Sequence, residues 1–298
     1  MSFSSEIKEN LSKIKNLNNK EAVKYELIGY LMSKNTSIKK GKIEYKTENE
    51  YNINRFSKLV SNMNVINYKI DLKGNNYIIT LPKIENLEGI NYAEKNIEYI
   101  NDIRNIGDTK NDELLKSILR GAFLGAGSIN NPESKYHLEI ILSTQTNMET
   151  IIEILMHFEI EAKRLERKNG YSVYIKDGEQ ISNFLALIGA TNAMLKFEGI
   201  RVVKDMRNNI NRKVNYETAN LNKTVNAAVK QINAIKELKK DGRFKTLPDS
   251  LKELAEIRLE NPDLSLQELG KMLSTPVGKS GVNHRLNKIM ELAKKWRI

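Results

Sequence analysis

Cysteine is absent from this sequence, which excludes disulfides, thiolate nucleophiles and Cys-based zinc or iron centres. Histidine is scarce: His137, His157 and His284 are the only three, and no two stand at the i, i+4 spacing that presents a pair of ligands from one helix face. No transition-metal site and no cofactor are therefore expected. Long apolar runs are also missing. Nothing approaches the roughly 18 uninterrupted apolar residues of a membrane span, and the start, MSFSSEIKEN, has neither a basic region nor an apolar stretch of the kind a secretory signal needs. These absences predict a cytosolic protein with no membrane partner. What is present suffices to build cores: 40% of the 298 residues are hydrophobic, enough for two domains or one large one.

The charge is uneven. The chain carries a formal +11, and residues 201–298 hold 21 Lys and Arg against 11 Asp and Glu, while residues 1–200 hold 27 against 26. A lysine-rich composition alone does not produce that asymmetry. Concentrated in the last third, the excess is the footprint of a segment that neutralises phosphates.

The pattern of apolar positions gives the organisation. Residues 18–34 read as a helix with Val23, Leu27, Tyr30 and Leu31 on one face. Alternation in SIKKGKIEYKT, a helix over 48–63, and a hairpin in VINYKIDLKGNNYIITLP turning at Gly74-Asn75-Asn76 follow. After a polar connection near 83–111 the order returns: a helix over 112–125 capped by Gly125 and Gly127, a strand from His137, a helix in METIIEILMHF, a hairpin turning at Asn169-Gly170, and helix over 178–206. Recurrence of one element order at long spacing is the mark of a duplicated unit. The expectation is an α+β domain over 1–206, made of two αββαββ-type halves at about 1–87 and 112–206. Residues 207–224, rich in asparagine and poor in apolar side chains, read as a polar linker, and a helix runs from about Val225 to Lys239.

The last fifty residues read as three short helices around one small core. Ser250 with Glu253 and Ser265 with Glu268 have the spacing of capping boxes, and Pro262 stops the first helix. Leu266, Leu269, Met272 and Leu273 give the second helix an apolar stripe, Pro276 and Gly278 form a turn, and a third helix buries Val282, Leu286, Ile289, Ala293 and Trp296. Away from that stripe stand Lys279, Ser280, Asn283, His284, Arg285, Asn287 and Lys288, groups suited to base edges and phosphates. That is the composition of the recognition helix in a helix-turn-helix, here over about 264–296. Arg207, Arg212 and Lys213 are candidate phosphate contacts ahead of it.

LRGAFLGAGS, Leu119 to Ser128, resembles the LAGLIDADG motif of homing endonucleases, whose paired helices each deliver one acid to divalent metal at the scissile phosphate. The chemistry needs that acid because a hard cation prefers carboxylate oxygen. The resemblance places Ala126 at the acid position. ELIGYLMSKNTS, Glu26 to Ser37, resembles the partner motif, with Lys34 or Asn35 at the acid position depending on alignment. Neither Asp112 nor Glu133 is near enough along the chain to substitute.

Nearly end to end, the chain resembles the WhiA family of bacterial DNA-binding regulators, which join a LAGLIDADG-like domain lacking catalytic acids to a C-terminal helix-turn-helix. The start MSFSSEIKENLSKI, RGAFLGAGSINNPESKYHLEI, RNNINRKVNYETANLNKTVNAAVKQI and LSLQELGKMLSTPVGKSGVNHRLNKIMELA carry the resemblance. The sequence departs from the family where Asn-Gly-Ser is replaced by Lys34-Asn35-Thr36. The resemblance implies a nucleoid-associated, non-catalytic transcription regulator acting in cell division and chromosome segregation, with sporulation control in some relatives. Composition and spacing by themselves give double-stranded DNA as a partner. Two other readings stand beside it: residues 1–206 as a docking module for regulatory or division proteins or a ligand, and the whole as a divergent homing endonuclease.

Overall fold

The computed structural model describes residues 2–85, 87–101, 112–168 and 170–294, and forms two compact units, Met1–Asp205 and Met206–Ile298. In the first unit, α2 (Lys20–Met32), β1 (Thr36–Lys39), β2 (Lys42–Thr47), α3 (Glu50–Asn62), β3 (Lys69–Lys73) and β4 (Asn76–Leu81) form one half. The second half repeats it with α4 (Asp112–Ala126), β7 (Gly127–Ile129), β8 (Leu138–Leu142), α5 (Gln145–His157), β9 (Lys163–Arg167) and β10 (Gly170–Ile175). Each half closes a four-stranded antiparallel sheet in the same order, β1-β2-β4-β3 and β7-β8-β10-β9. SIKKGKIEYKT is a complete hairpin, turning through Lys40 and Gly41 at φ 50° and 72°; such left-handed turns match the twist of paired strands.

Several features depart from the sequence reading. A helix, α1 (Phe3–Ser12), precedes the first half and buries Ile7 and Leu11. The connection after β4 contains a two-stranded hairpin, β5 (Ile90–Tyr92) with β6 (Ile97–Tyr99), whose Ile97 and Tyr99 join the core; residues 102–111 lie outside the described set. The helix expected over 178–206 is divided into α6 (Gly178–Leu187) and a helix from Thr191, because Gly189 takes a left-handed φ of 84°. Gly125 and Gly127 are not a left-handed cap. Gly125 lies within α4, and the two serve packing, against Ser33 and Phe123.

The 207–224 segment is helical as well. It belongs to α7 (Thr191–Lys240), fifty residues long. Polarity misleads here because Asn, Thr and Lys cost at most about 0.7 kcal/mol each in a helix, whereas no proline and only Gly199 interrupt these fifty residues. Every side chain from 207 to 224 is exposed, including Ile210, Val214 and Leu221, so no buried side chain anchors this stretch. Past it, Ala228, Gln231, Ile235 and Leu238 are buried at helical spacing.

The first unit is organised around the crossing of α2 and α4. Gly29 and Gly121 meet there: a Cβ on Gly121 would stand 1.9 Å from the Glu26 carbonyl oxygen, and one on Gly29 2.1 Å from that of Ile118. Beside the crossing a charged cluster is buried. The Arg55 guanidinium donates to both oxygens of Glu26 at 2.8 Å and to the Ile14 carbonyl, while Arg120 donates to the Ile188 carbonyl and approaches Glu26 at 3.5 Å. Glu26, Arg55 and Arg120 are 0%, 2% and 4% exposed, and a buried cation without its anion is strongly destabilising. Glu26→Gln is expected to lower stability by about 3–5 kcal/mol, measured from the denaturant midpoint of the first unit's transition; a loss below about 1 kcal/mol would show that the cluster is solvated. Amide exchange is expected to be faster over 207–224 than over 228–238, since only the latter is covered by side-chain packing.

Candidate nucleic-acid interface and the acid-free helix ends

The glycine contact fixes the register of the two motif helices. Gly29 and Gly121 occupy equivalent places, so Lys34 stands five residues beyond one and Ala126 five beyond the other. This register selects Lys34, not Asn35, as the counterpart of Ala126. Asn35 is engaged elsewhere: its Nδ2 donates to the Gly125 carbonyl at 2.8 Å.

Helix ends leave carbonyls without intrahelical partners, and here buried asparagines satisfy them across the halves. Asn52 of α3 donates to the Leu124 carbonyl of α4 at 2.7 Å, and to Tyr45, while accepting from Tyr30. Asn147 of α5 donates to the Met32 carbonyl of α2 at 3.3 Å and to that of Ile97 at 2.7 Å. Met32 and Leu124 each lie three residues past the paired glycines, so the halves share a polar anatomy that their sequences do not advertise. Among the described residues no three His, Asp or Glu side chains gather as a metal site. Asp112 sits at the other end of α4, about 21 Å from Ala126 along the axis, and faces His157 at 2.9 Å; Glu133 lies in the β7–β8 loop.

In the second unit, α8 (Asp249–Glu260), α9 (Leu266–Met272) and α10 (Lys279–Lys294) pack with the end of α7 around Leu254, Leu269, Val282, Leu286 and Ile289. The Ser265–Glu268 capping box is formed in both directions. The Ser250–Glu253 box is not. Pro248 occupies the N-cap of α8, two residues ahead of Ser250, and Glu253 instead accepts from the backbone N–H of Ser274 at 2.5 Å and from its hydroxyl at 3.1 Å. Met272 is half exposed rather than part of the core stripe, and Trp296 lies outside the described residues. Gly270 is a requirement the pattern of apolar residues does not reveal. Val277 donates its N–H to the Gly270 carbonyl at 3.1 Å, and a Cβ there would meet the Val277 carbonyl oxygen at 2.1 Å.

Lys279, Asn283 and Asn287 form one exposed row of α10, with Ser280, His284 and Lys288 as the adjacent row. Lys288 makes an exposed pair with Glu291 at 3.9 Å, and Arg285 is partly buried at the flank. A residue absent from the sequence reading joins this group: Lys223 of α7 borders a pocket of about 260 Å³ with Lys279, Asn283 and Arg258. Arg258 is itself 1% exposed; it donates to Gln231 at 3.0 Å and to the Leu264 carbonyl at 2.6 Å, and burial lowers its pKa. On α7, Arg212 lies three turns from Lys223, about 16 Å, on the same face, whereas Arg207 falls on the opposite side and Lys213 at the flank. The helix thus does not bring the three linker candidates together. Only Arg212 shares a side with α10's neighbour.

Comparison with known proteins follows this division. Residues 210–293 match the WhiA C-terminal HTH domain, and residues 115–207 the WhiA LAGLIDADG-like domain. The chain is 43% identical over 308 residues to the "Probable cell division protein WhiA" of Staphylococcus haemolyticus, covering 100% of this chain and 98% of that protein; its Staphylococcus aureus counterpart is likewise 43% identical over 309 residues, with the same coverage. The crystal structure of full-length DUF199/WhiA from Thermatoga maritima is 30% identical and superposes with a TM-score of 0.61 over 99% of both chains. A crystal structure of the N-terminal LAGLIDADG domain of DUF199/WhiA matches 63% of this chain and 92% of its own, at 27% identity and a TM-score of 0.51.

Gly270→Ala is expected to cost about 1–3 kcal/mol through overpacking of the helix turn, seen as a lower midpoint for the second unit alone; an unchanged midpoint would mean that the turn relaxes freely. With both domain types matched in order and full-length relatives at 43% identity, the chain belongs to the WhiA family.

Proposed function

We propose that this protein is a non-catalytic, sequence-preferring DNA-binding regulator acting in cell division and chromosome segregation, working on double-stranded DNA at the nucleoid in the cytoplasm. The observation that carries this reading is the α10 face. Six side chains able to contact bases or phosphates stand exposed in two rows, and five of them have no ion-pair or hydrogen-bond partner among the described residues. They lie in the part of the chain that holds nearly all the excess positive charge. A helix of this kind enters the major groove, where Asn pairs with adenine and Lys with guanine. The names of the relatives supply the cell-division role. No helix among the described residues is long and apolar enough to cross a membrane.

Against nuclease activity stand Ala126 and Lys34. Neither offers a carboxylate, and an ammonium group repels the cation on which hydrolysis depends. The sheets of the first unit favour docking over a second DNA grip. Several of their basic side chains are occupied by acids: Lys39 pairs with Glu44 at 2.9 Å, Lys69 with Asp71 at 2.7 Å, Arg164 with Glu149 at 2.8 Å, and Arg167 with Glu139.

The test is a salt-dependent titration of the full chain against a preferred site and a random duplex, with magnesium present. Asn283→Ala or Asn287→Ala is expected to lose about 1–3 kcal/mol on the preferred site and little on random DNA. Arg212→Ala or Lys223→Ala should weaken both alike and reduce the salt slope by about one. Equal losses for the asparagine variants on both duplexes would remove base reading by α10, and nicking of plasmid by the intact chain would overturn the non-catalytic assignment.

A further inference from the structure

A second polar pocket, in the first unit, is not used by this function. It has a volume of about 410 Å³ and is built where the end of α2 meets the second half's sheet, with Lys34, Ser37, Asn96, Ser143, Lys168 and Tyr171 among its lining. Lys34 is placed there by the backbone: its N–H donates to the Ile141 carbonyl at 3.0 Å, Ser33 bridges to Leu142, and the lysine's stem lies over Gly170, 3.5 Å from where a Cβ would be. Gly170 has a φ of 142°, so a side chain there would be strained as well as stand 3.0 Å from the Leu142 carbonyl oxygen.

The charge balance at this pocket is positive. Arg167 is spent on Glu139 and Ser172. Glu166 is the acidic member of the lining, and Lys34 and Lys168 are both without a carboxylate partner among the described residues. The hydroxyls of Ser37 and Tyr171 and the Asn96 amide stand among them with no hydrogen-bond partner among the described residues, while the Ser143 hydroxyl is turned to the Met32 carbonyl at 3.2 Å. Two ammonium groups set among neutral hydrogen-bond donors, in a concavity of mononucleotide size, match a tetrahedral oxyanion. An apolar ligand would leave these groups unpaired, and a metal ion would meet two cations.

We propose that this pocket binds a phosphate group, with Lys34 and Lys168 as the charged contacts. The group belongs either to a small phosphate-bearing molecule or to a DNA backbone laid across the first unit; the proposal stands independently of how α10 reads DNA.

The experiment uses the full chain with inorganic pyrophosphate as the small probe and a random duplex as the other, both followed by calorimetry at low salt. Because the second unit is basic and will itself attract both probes, the comparison is between variants. The Lys34→Ala, Lys168→Ala double variant is expected to bind pyrophosphate at least fivefold more weakly, while Lys73→Ala, which removes an equally exposed lysine on β3, leaves it unchanged. A loss confined to pyrophosphate assigns the pocket to a small molecule. A parallel loss on the duplex, with the salt slope lower by about two, assigns it to a DNA phosphate. If the double variant binds both probes as the parent does, or if Lys73→Ala weakens pyrophosphate as much as the double variant, the pocket holds no phosphate. Both lysines are exposed, so a folded double variant is expected; its thermal transition, measured alongside, confirms that lost binding is not lost structure.

Discussion

Two glycines set the first unit's geometry. Where Gly29 of α2 meets Gly121 of α4, the backbones are in contact, and any Cβ would have to occupy space held by a carbonyl oxygen of the facing helix. Close approach of this kind has two consequences. It aligns the helices in an equal register from the crossing outward, so that the same offset leads to Met32 and Leu124, then to Lys34 and Ala126. It also brings carbonyl-bearing helix ends next to the other half, where unsatisfied groups carry a desolvation cost.

The buried asparagines answer that cost. Asn52 and Asn147 come from α3 and α5, equivalent helices of opposite halves, and each crosses to a carbonyl at the end of the other half's motif helix. An asparagine suits the position because one amide donates and accepts at once. Asn147 bonds the Met32 and Ile97 carbonyls while its oxygen receives the Tyr99 N–H at 2.9 Å. The helix-end carbonyls at the seam are therefore bonded by amides. The frame at these two helix ends rests on side-chain amides, and Ala126 and Lys34 take no part in that hydrogen bonding.

How much of this was legible in the sequence depended on the range of the interaction. The αββαββ repetition could be read because each element announces itself by local period, and the capping box at Ser265 because its partners lie three residues apart. The Ser250 box was misread because Pro248 is a competent helix start that frees Glu253 for a partner 21 residues away. The middle of α7 departs from the linker reading because a solvated helix and a linker share a composition, and what separates them is the lack of a breaker. Asn52, Asn147, Gly270 and Lys223 had no signal at all. Each acts through a neighbour outside its own helix, Val277 in the following turn for Gly270, and a single asparagine or glycine looks the same in a turn as in a seam. Of the candidate interface, the α10 residues could be read since they are the complement of an apolar stripe, whereas the grouping of Arg207, Arg212 and Lys213 depended on a conformation the composition concealed.

The two acid-free helix ends have diverged from one another, and this bears on what the first unit does. Past Ala126 the chain enters β7 under α1, where the Ile129 N–H donates to the Ser4 hydroxyl at 3.4 Å and Lys8 stands 5.8 Å from the Phe123 ring. This end is partly covered, and Ala126, half-buried, offers only a methyl group. The other end remains open: Lys34 is exposed beside a polar pocket, and its backbone is tied to β8 of the opposite half. A pair of nuclease active-site halves needs both ends equally placed around one phosphate, so each acid supports the other's metal. Here one end carries a half-buried methyl group and the other an exposed lysine beside a polar pocket. That asymmetry fits a unit whose symmetry serves folding and whose two helix ends are no longer chemically equivalent.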